Sequence, residues 1–155
     1  MTQTLSRVDA ALEQAAEHCN ALGERFTPQR KQVLALLLEI GQPVTAYQLL
    51  EHLREQMPGA QPPTVYRALE FLQRVELVHR IDANNTWLPC ALDCGEHEHG
   101  KPQLLVCADC GRARELPLPE ELHRALAREA ARAGFQLDDR PLALQGICEQ
   151  CRGND

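Results

Sequence analysis

Pro62-Pro-Thr-Val-Tyr-Arg-Ala-Leu-Glu-Phe-Leu72, then Leu77-Val-His-Arg-Ile81, Asp82-Ala-Asn-Asn85 and Thr86-Trp-Leu88, is the run of residues on which the fold turns. The two prolines suit the first turn of a helix, where a missing N–H costs nothing. Val65, Leu69 and Leu72 then recur at helical spacing, and the pattern fades near Val75. Two short apolar strands separated by Asp, Ala and two Asn follow, which is hairpin chemistry.

Three further helices precede this unit. Val8, Leu12, Ala15, Ala16, Cys19 and Leu22 form a stripe that Gly23 ends. Thr27-Pro28 caps and opens a second helix through Val33, Leu34, Leu37 and Leu38, closed by Gly41. Thr45 with Gln48 three residues on is a capping box, which starts a third helix through Leu49, Leu50 and Leu53. Helices followed by a hairpin describe a winged helix, predicted over residues 1–90 with the hairpin wing at about 77–88. A polar stretch rich in His, Glu and Gly, residues 91–102, reads as a hinge. In residues 103–155, strands are expected at Leu104–Val106, Ala113–Leu116, Phe135–Leu137 and Leu142–Leu144, with a helix from about Pro119 to Ala133. The fold class is therefore α+β: an N-terminal winged helix followed by a small α/β domain.

With 155 residues, the chain is long enough for two small cores. Asp9, Glu13 and Glu17 interrupt the first segment, so it is neither a signal peptide nor a membrane span, and a soluble, cytoplasmic protein is expected. The net charge of −6 lies almost wholly in the second half, leaving the first half near neutral. Charge alone thus gives no support for a nucleic-acid partner.

Seven cysteines in a reducing compartment point to metal ligation rather than disulfides. Cys107-Ala-Asp-Cys110-Gly111 and Cys148-Glu-Gln-Cys151 are two Cys-x-x-Cys knuckles. Each presents two thiolates at the spacing of a tetrahedral zinc site, and four thiolates close the shell, so the site is structural. Redox-active or disulfide-bonded cysteine is the competing reading, which the second knuckle disfavours.

Phe26-Thr-Pro-Gln-Arg-Lys31, Pro62-Pro-Thr-Val-Tyr-Arg-Ala-Leu69, the His-rich hinge and Leu105-Val-Cys-Ala-Asp-Cys-Gly111, in that order, resemble the ferric uptake regulator family over nearly the whole chain. Ala46-Tyr47, His79 after Leu77-Val78, and Trp87-Leu-Pro-Cys90 are similar to its zinc-sensing branch. The resemblance implies a repressor that binds operator DNA as a dimer when a second, regulatory zinc is held by His79, Cys90, His99 and Glu115. His97 is the alternative to His99, and Cys94 a stray ligand. Taken singly, each of these residues also has an ordinary reading: a strand histidine, a small core residue, a solvated hinge, an exposed carboxylate. Ligand chemistry supports zinc independently, because a thiolate beside imidazole suits zinc better than iron or manganese. The expectation is two zinc ions per chain, one structural and one bridging the domains, with residues 103–155 forming the dimer.

Arg67 lies about 200° around the helix from Val65, so it faces away from the buried stripe and suits guanine recognition. Thr64 at the helix start is either a phosphate ligand or a simple cap. Tyr47 contacts a base by resemblance, or otherwise covers the domain surface. Arg30, Lys31, Tyr66 and Arg80 are candidate phosphate contacts. Glu51 and Arg54, at i and i+3, form a solvated ion pair or a contact between two dimers on one operator. Cys19 reads as core, and His18, His52 and His123 as surface. Catalysis is not expected. The His-x-Glu of zinc deaminases is missing, as is the proline before the first knuckle cysteine, and no nucleophile has a recognisable base. Neither a membrane nor a small-molecule substrate is expected. The remaining alternatives are a relative sensing iron, manganese or peroxide, and a zinc-stabilised DNA binder without a sensing role.

Overall fold

Four helices and a three-stranded sheet make the first of two units into which the chain divides, Met1–Gly95 and Glu96–Asp155. The computed structural model describes residues 2–90, 102–138 and 140–153. Helix α1, Thr2–Ala21, buries Val8, Leu12, Ala15 and Cys19 along one face. It ends where Gly23 turns left-handed at φ +71°, letting the Glu24 N–H donate to the Cys19 carbonyl at 2.8 Å. Helix α2, Pro28–Ile40, begins on Thr27, whose hydroxyl accepts from the Arg30 N–H at 3.4 Å, and stops at left-handed Gly41.

Helix α3, Ala46–Gln56, opens on the full capping box: the Gln48 N–H donates to Thr45 Oγ1 at 3.2 Å, and the Thr45 N–H donates to Gln48 Oε1 at 2.9 Å. Helix α4, Pro62–Arg74, has Gln61 as its cap and buries Val65, Ala68, Leu69, Phe71 and Leu72. These stripes meet in one apolar core with Val33, Leu37, Leu49 and Leu53 at its centre.

The sheet order is β1-β3-β2, all antiparallel, from β1 (Val44–Thr45), β2 (Val78–Ile81) and β3 (Thr86–Pro89). The β2–β3 hairpin aligns His79 with Leu88, and Asn85 takes the left-handed conformation at φ +52° that the turn needs. Strand β1 has no counterpart in the sequence reading, since two residues are too short for an alternation to register.

The second unit is a sheet of order β5-β4-β6 with one long helix. Strands β4 (Pro102–Cys107) and β5 (Ala113–Pro117) are antiparallel, while β6 (Ala143–Gly146) runs parallel to β4. Parallel neighbours need a crossover, supplied by α5, Glu120–Arg132. Gln103 is a buried polar residue whose Oε1 accepts from the Leu142 N–H at 2.7 Å, just before the β4–β6 register starts. A fourth strand at Phe135–Leu137 does not form. After α5 the Phe135 N–H donates to the Ala130 carbonyl at 2.8 Å and the Gly134 N–H to Ala131 at 3.0 Å, around Gly134 at φ +82°. That helix-ending motif consumes the backbone donor with which a strand would begin.

Candidate metal centres and nucleic-acid face

Strand β4, the central strand, ends at Cys107, and the chain turns at once on left-handed Gly111, whose N–H donates to the Cys107 carbonyl at 2.9 Å. Cys110 is carried in that turn. Strand β6 reaches the same end of the sheet because its parallel register sets Gly146 beside Cys107. Cys148 follows two residues later and starts the short helix α6, Glu149–Arg152, which carries Cys151. The four sulfurs lie within 4.8 Å of one another, with Cys110 and Cys148 3.8 Å apart. Four sulfurs at the usual zinc distance on a tetrahedron are separated by about 3.8 Å, so the cage has the size zinc requires. The Arg112 guanidinium donates to Gln150 Oε1 at 2.6 Å, clasping one knuckle to the other.

The sulfurs do not hold their protons equally. The Cys148 N–H donates to Cys107 Sγ at 3.4 Å and, with the Cys110 amide, draws the Cys107 thiol down to about 6. Cys151 is pushed up to about 12 by hydrogen bonding to the Cys148 and Cys110 sulfurs and by the Cys107 charge. One resident thiolate makes Cys151 keep its proton. A divalent cation among the four sulfurs would remove that conflict.

In the first unit, His79 is buried on β2 and Cys90 follows β3, its N–H bound to the Leu77 carbonyl at 2.9 Å. A ring nitrogen of His79 and the Cys90 sulfur lie within 4.8 Å of each other. Two residues eleven apart in sequence are thus joined by the hairpin register. Glu115 sits half-buried on β5 of the second unit, opposite Leu104. His97, His99 and Cys94 lie outside the described residues.

Tyr47 on α3 and Tyr66 on α4 are 66% and 46% exposed, unusually open for aromatic residues. Arg67 beside Tyr66 is also exposed. Thr64 is the third residue of α4, with its N–H on the Gln61 carbonyl at 3.0 Å, so the simple-cap alternative for it falls: Gln61 holds that position. Arg80 faces outward on β2, pairing with Asp82 at 3.1 Å and donating to Asn85 Oδ1 at 3.0 Å. The expected pair between Glu51 and Arg54 is replaced by an Arg54 Nε bond to the Ala60 carbonyl at 3.2 Å, which leaves Glu51 exposed on α3.

Three readings of single residues change with the fold in view. Arg30 lies over the Phe71 ring instead of projecting into solvent. His18 is half-buried, with Nε2 2.9 Å from the Val75 carbonyl. His123 is half-buried on α5, with Nδ1 enclosed. Spacing carried no signal for these, since each depends on packing between distant segments.

The ferric uptake regulator family profile matches residues 21–145. The chain is 36% identical over 141 residues to the zinc uptake regulation protein of Escherichia coli (strain K12), covering 90% of this chain and 80% of that one. Among solved structures, a zinc uptake regulator complexed with zinc and DNA superposes with a TM-score of 0.83 at 34% identity, covering 94% of this chain and 95% of the other. Holo XcZur gives 0.78 at 34% identity, covering 92% and 96%. Sequence along most of its length and fold agree: the chain belongs to the ferric uptake regulator family.

Proposed function

We propose that this protein is a cytoplasmic, zinc-responsive transcriptional repressor that grips operator DNA as a homodimer when a regulatory zinc is bound. The observation that carries this reading is the Cys90 sulfur beside the His79 imidazole on the winged-helix unit. Within a family whose members sense several metals, sulfur with nitrogen selects zinc over the harder ions. The likeness to regulators bound to zinc and DNA supports the same conclusion.

Cys107, Cys110, Cys148 and Cys151 hold a permanent structural zinc. The regulatory ion takes His79 and Cys90 from the DNA-binding domain (residues 1–90), His99 from the hinge (residues 91–102), with His97 as its alternate, and Glu115 from the dimerisation domain (residues 103–155). Such an ion fixes the angle between domains. In a dimer that angle decides whether two α4 helices reach major grooves about 34 Å apart. A differential of about 1.4 kcal/mol per tenfold change in occupancy is well within what one coordinated ion supplies. Exposed Leu105, Leu116, Leu122, Leu126 and Leu144 give the dimer its apolar face.

On DNA, Arg67 reads a base, Tyr47 contacts a second, and Thr64, Tyr66 and Arg80 hold phosphates. Two dimers on one operator would meet through the exposed carboxylate of Glu51. This role is regulatory, not enzymatic.

The test is a zinc titration of purified protein that reports bound metal and affinity for duplexes selected from a randomised pool. Two ions per chain, with affinity rising on the second, is expected. Cys90→Ser should abolish the second step and leave the four-thiolate site filled; a variant that still binds at wild-type zinc levels would overturn the sensor assignment. Filling by one ion only would make the protein a zinc-stabilised DNA binder, and a response to iron, manganese or peroxide would move it to another branch. Arg67→Ala should cost about 1 to 3 kcal/mol and relax preference at one base. Equal loss on every sequence would recast Arg67 as a phosphate contact.

A further inference from the structure

Helix α4 is held at its far end by a group of charged and aromatic side chains that the reading above leaves unused. Arg30, third residue of α2, places its guanidinium carbon 3.5 Å from the centre of the Phe71 ring and donates from Nη1 to the Arg25 carbonyl. Arg74 approaches the same ring at 5.4 Å and pairs with Glu24 at 2.9 Å. His18 meets the Val75 carbonyl. Side chains from α1, α2 and the turn between them therefore converge on the last turn of α4.

Phe71 follows Arg67 by four residues, so the two lie on one flank of α4 a single turn apart. Phe71 is 3% exposed, while Arg67 stands in solvent. Whatever sets the seat of the Phe71 ring also sets the rotation of α4 about its axis, and with it the aim of Arg67. A free phosphate contact would keep its guanidinium in solvent. Arg30 instead lies on a ring and spends one donor on the backbone, the arrangement of a cation held by an aromatic face.

We infer that Arg30 is a positioning residue for DNA reading, orienting the recognition helix through Phe71 rather than touching DNA. The inference rests on the proposed role of α4 in base recognition. It separates from a phosphate role because a lysine can replace a point charge on a phosphate but not a planar guanidinium on a ring.

The experiment uses the zinc-loaded full chain. Affinities of wild type, Arg30→Lys, Arg30→Ala, Phe71→Leu and the Arg30→Ala/Phe71→Leu double variant are measured over a salt series on a selected duplex and a scrambled one. All measurements are made at a temperature where circular dichroism shows each variant folded. Both Arg30 variants should bind the selected duplex about three- to tenfold more weakly, the effect of losing one such contact. The scrambled duplex should be nearly unaffected and the salt slope unchanged. The double variant should be no weaker than the weaker single one, since the two side chains act as a unit.

Wild-type affinity in Arg30→Lys, with equal losses on both duplexes and a slope shallower by about 0.9 in Arg30→Ala, would make Arg30 a phosphate contact and overturn the inference. Additive losses in the double variant would overturn it as well. If wild type shows no preference for any duplex, the DNA-reading proposal fails and takes the role of Arg30 with it. Preference in wild type with an unaffected Arg30→Lys removes only this inference.

Discussion

In the first unit the helices close over one another until Leu37, Leu49, Leu69 and Leu72 are sealed from water; in the second, α5 and β6 bury no residue fully, and Leu122, Leu126 and Leu144 stay open. The first unit is stabilised by area removed from solvent. Among the described residues the second buries only Gln103, Leu104, Val106, Cys107 and Leu118, and on the proposed reading four sulfurs around zinc and a partner surface make up the difference. One chain thus contains two unlike solutions to stability, and on the proposed zinc assignment only the second answers to metal supply.

Cys148→Ser is the strongest way to break that contrast. Zinc in a closed thiolate shell contributes on the order of 10 to 16 kcal/mol at neutral pH. Native mass spectrometry should show loss of the structural ion, and amide exchange should accelerate across residues 103–153 while α2 to α4 stay protected. Unchanged exchange in the second unit would mean its own packing suffices. Leu49→Ala is the reciprocal case, expected to cost about 2 to 5 kcal/mol through a cavity beneath α3. Its denaturation midpoint should fall with zinc content unaltered; metal loss in this variant would show that the units are not independent in stability.

Leu126→Glu tests the open face of α5. Burying a leucine at a partner surface contributes about 1.5 to 3 kcal/mol, so light scattering should find a shift towards monomer with both units folded. A full dimer would move the interface off this face. The smallest effect belongs to Thr45→Ala, where loss of the capping box should remove about 1 kcal/mol from the first unit alone, measured by urea denaturation.

The same contrast explains what could be read in advance. Helices α1 to α4 announce themselves because their burial is periodic and their ends carry local chemistry: Thr27 with Pro28, Thr45 with Gln48, Gly23 and Gly41. The four-cysteine cage is legible because knuckle spacing is itself local geometry. Phe135 misled because an apolar residue after a helix looks like a strand until Gly134 is seen to turn the chain back. The proposed regulatory ligands have no spacing rule. His79 and Cys90 meet only through the hairpin register, and the rest of that set rested on resemblance. Arg30 over Phe71 was invisible for the same reason, as the two are 41 positions apart and join through packing alone.

The parallel pairing of β4 with β6 carries a temporal consequence. Cys107 leaves the ribosome well before Cys148, and the intervening α5 must be synthesised before the two strands can align. Helical cores with local contacts form fast, and domains fold in order of emergence. The winged-helix unit therefore matures while its companion is still unfinished. Under the proposed zinc assignment, each newly made chain captures an ion before that companion assembles, and metal supply then sets how many chains mature.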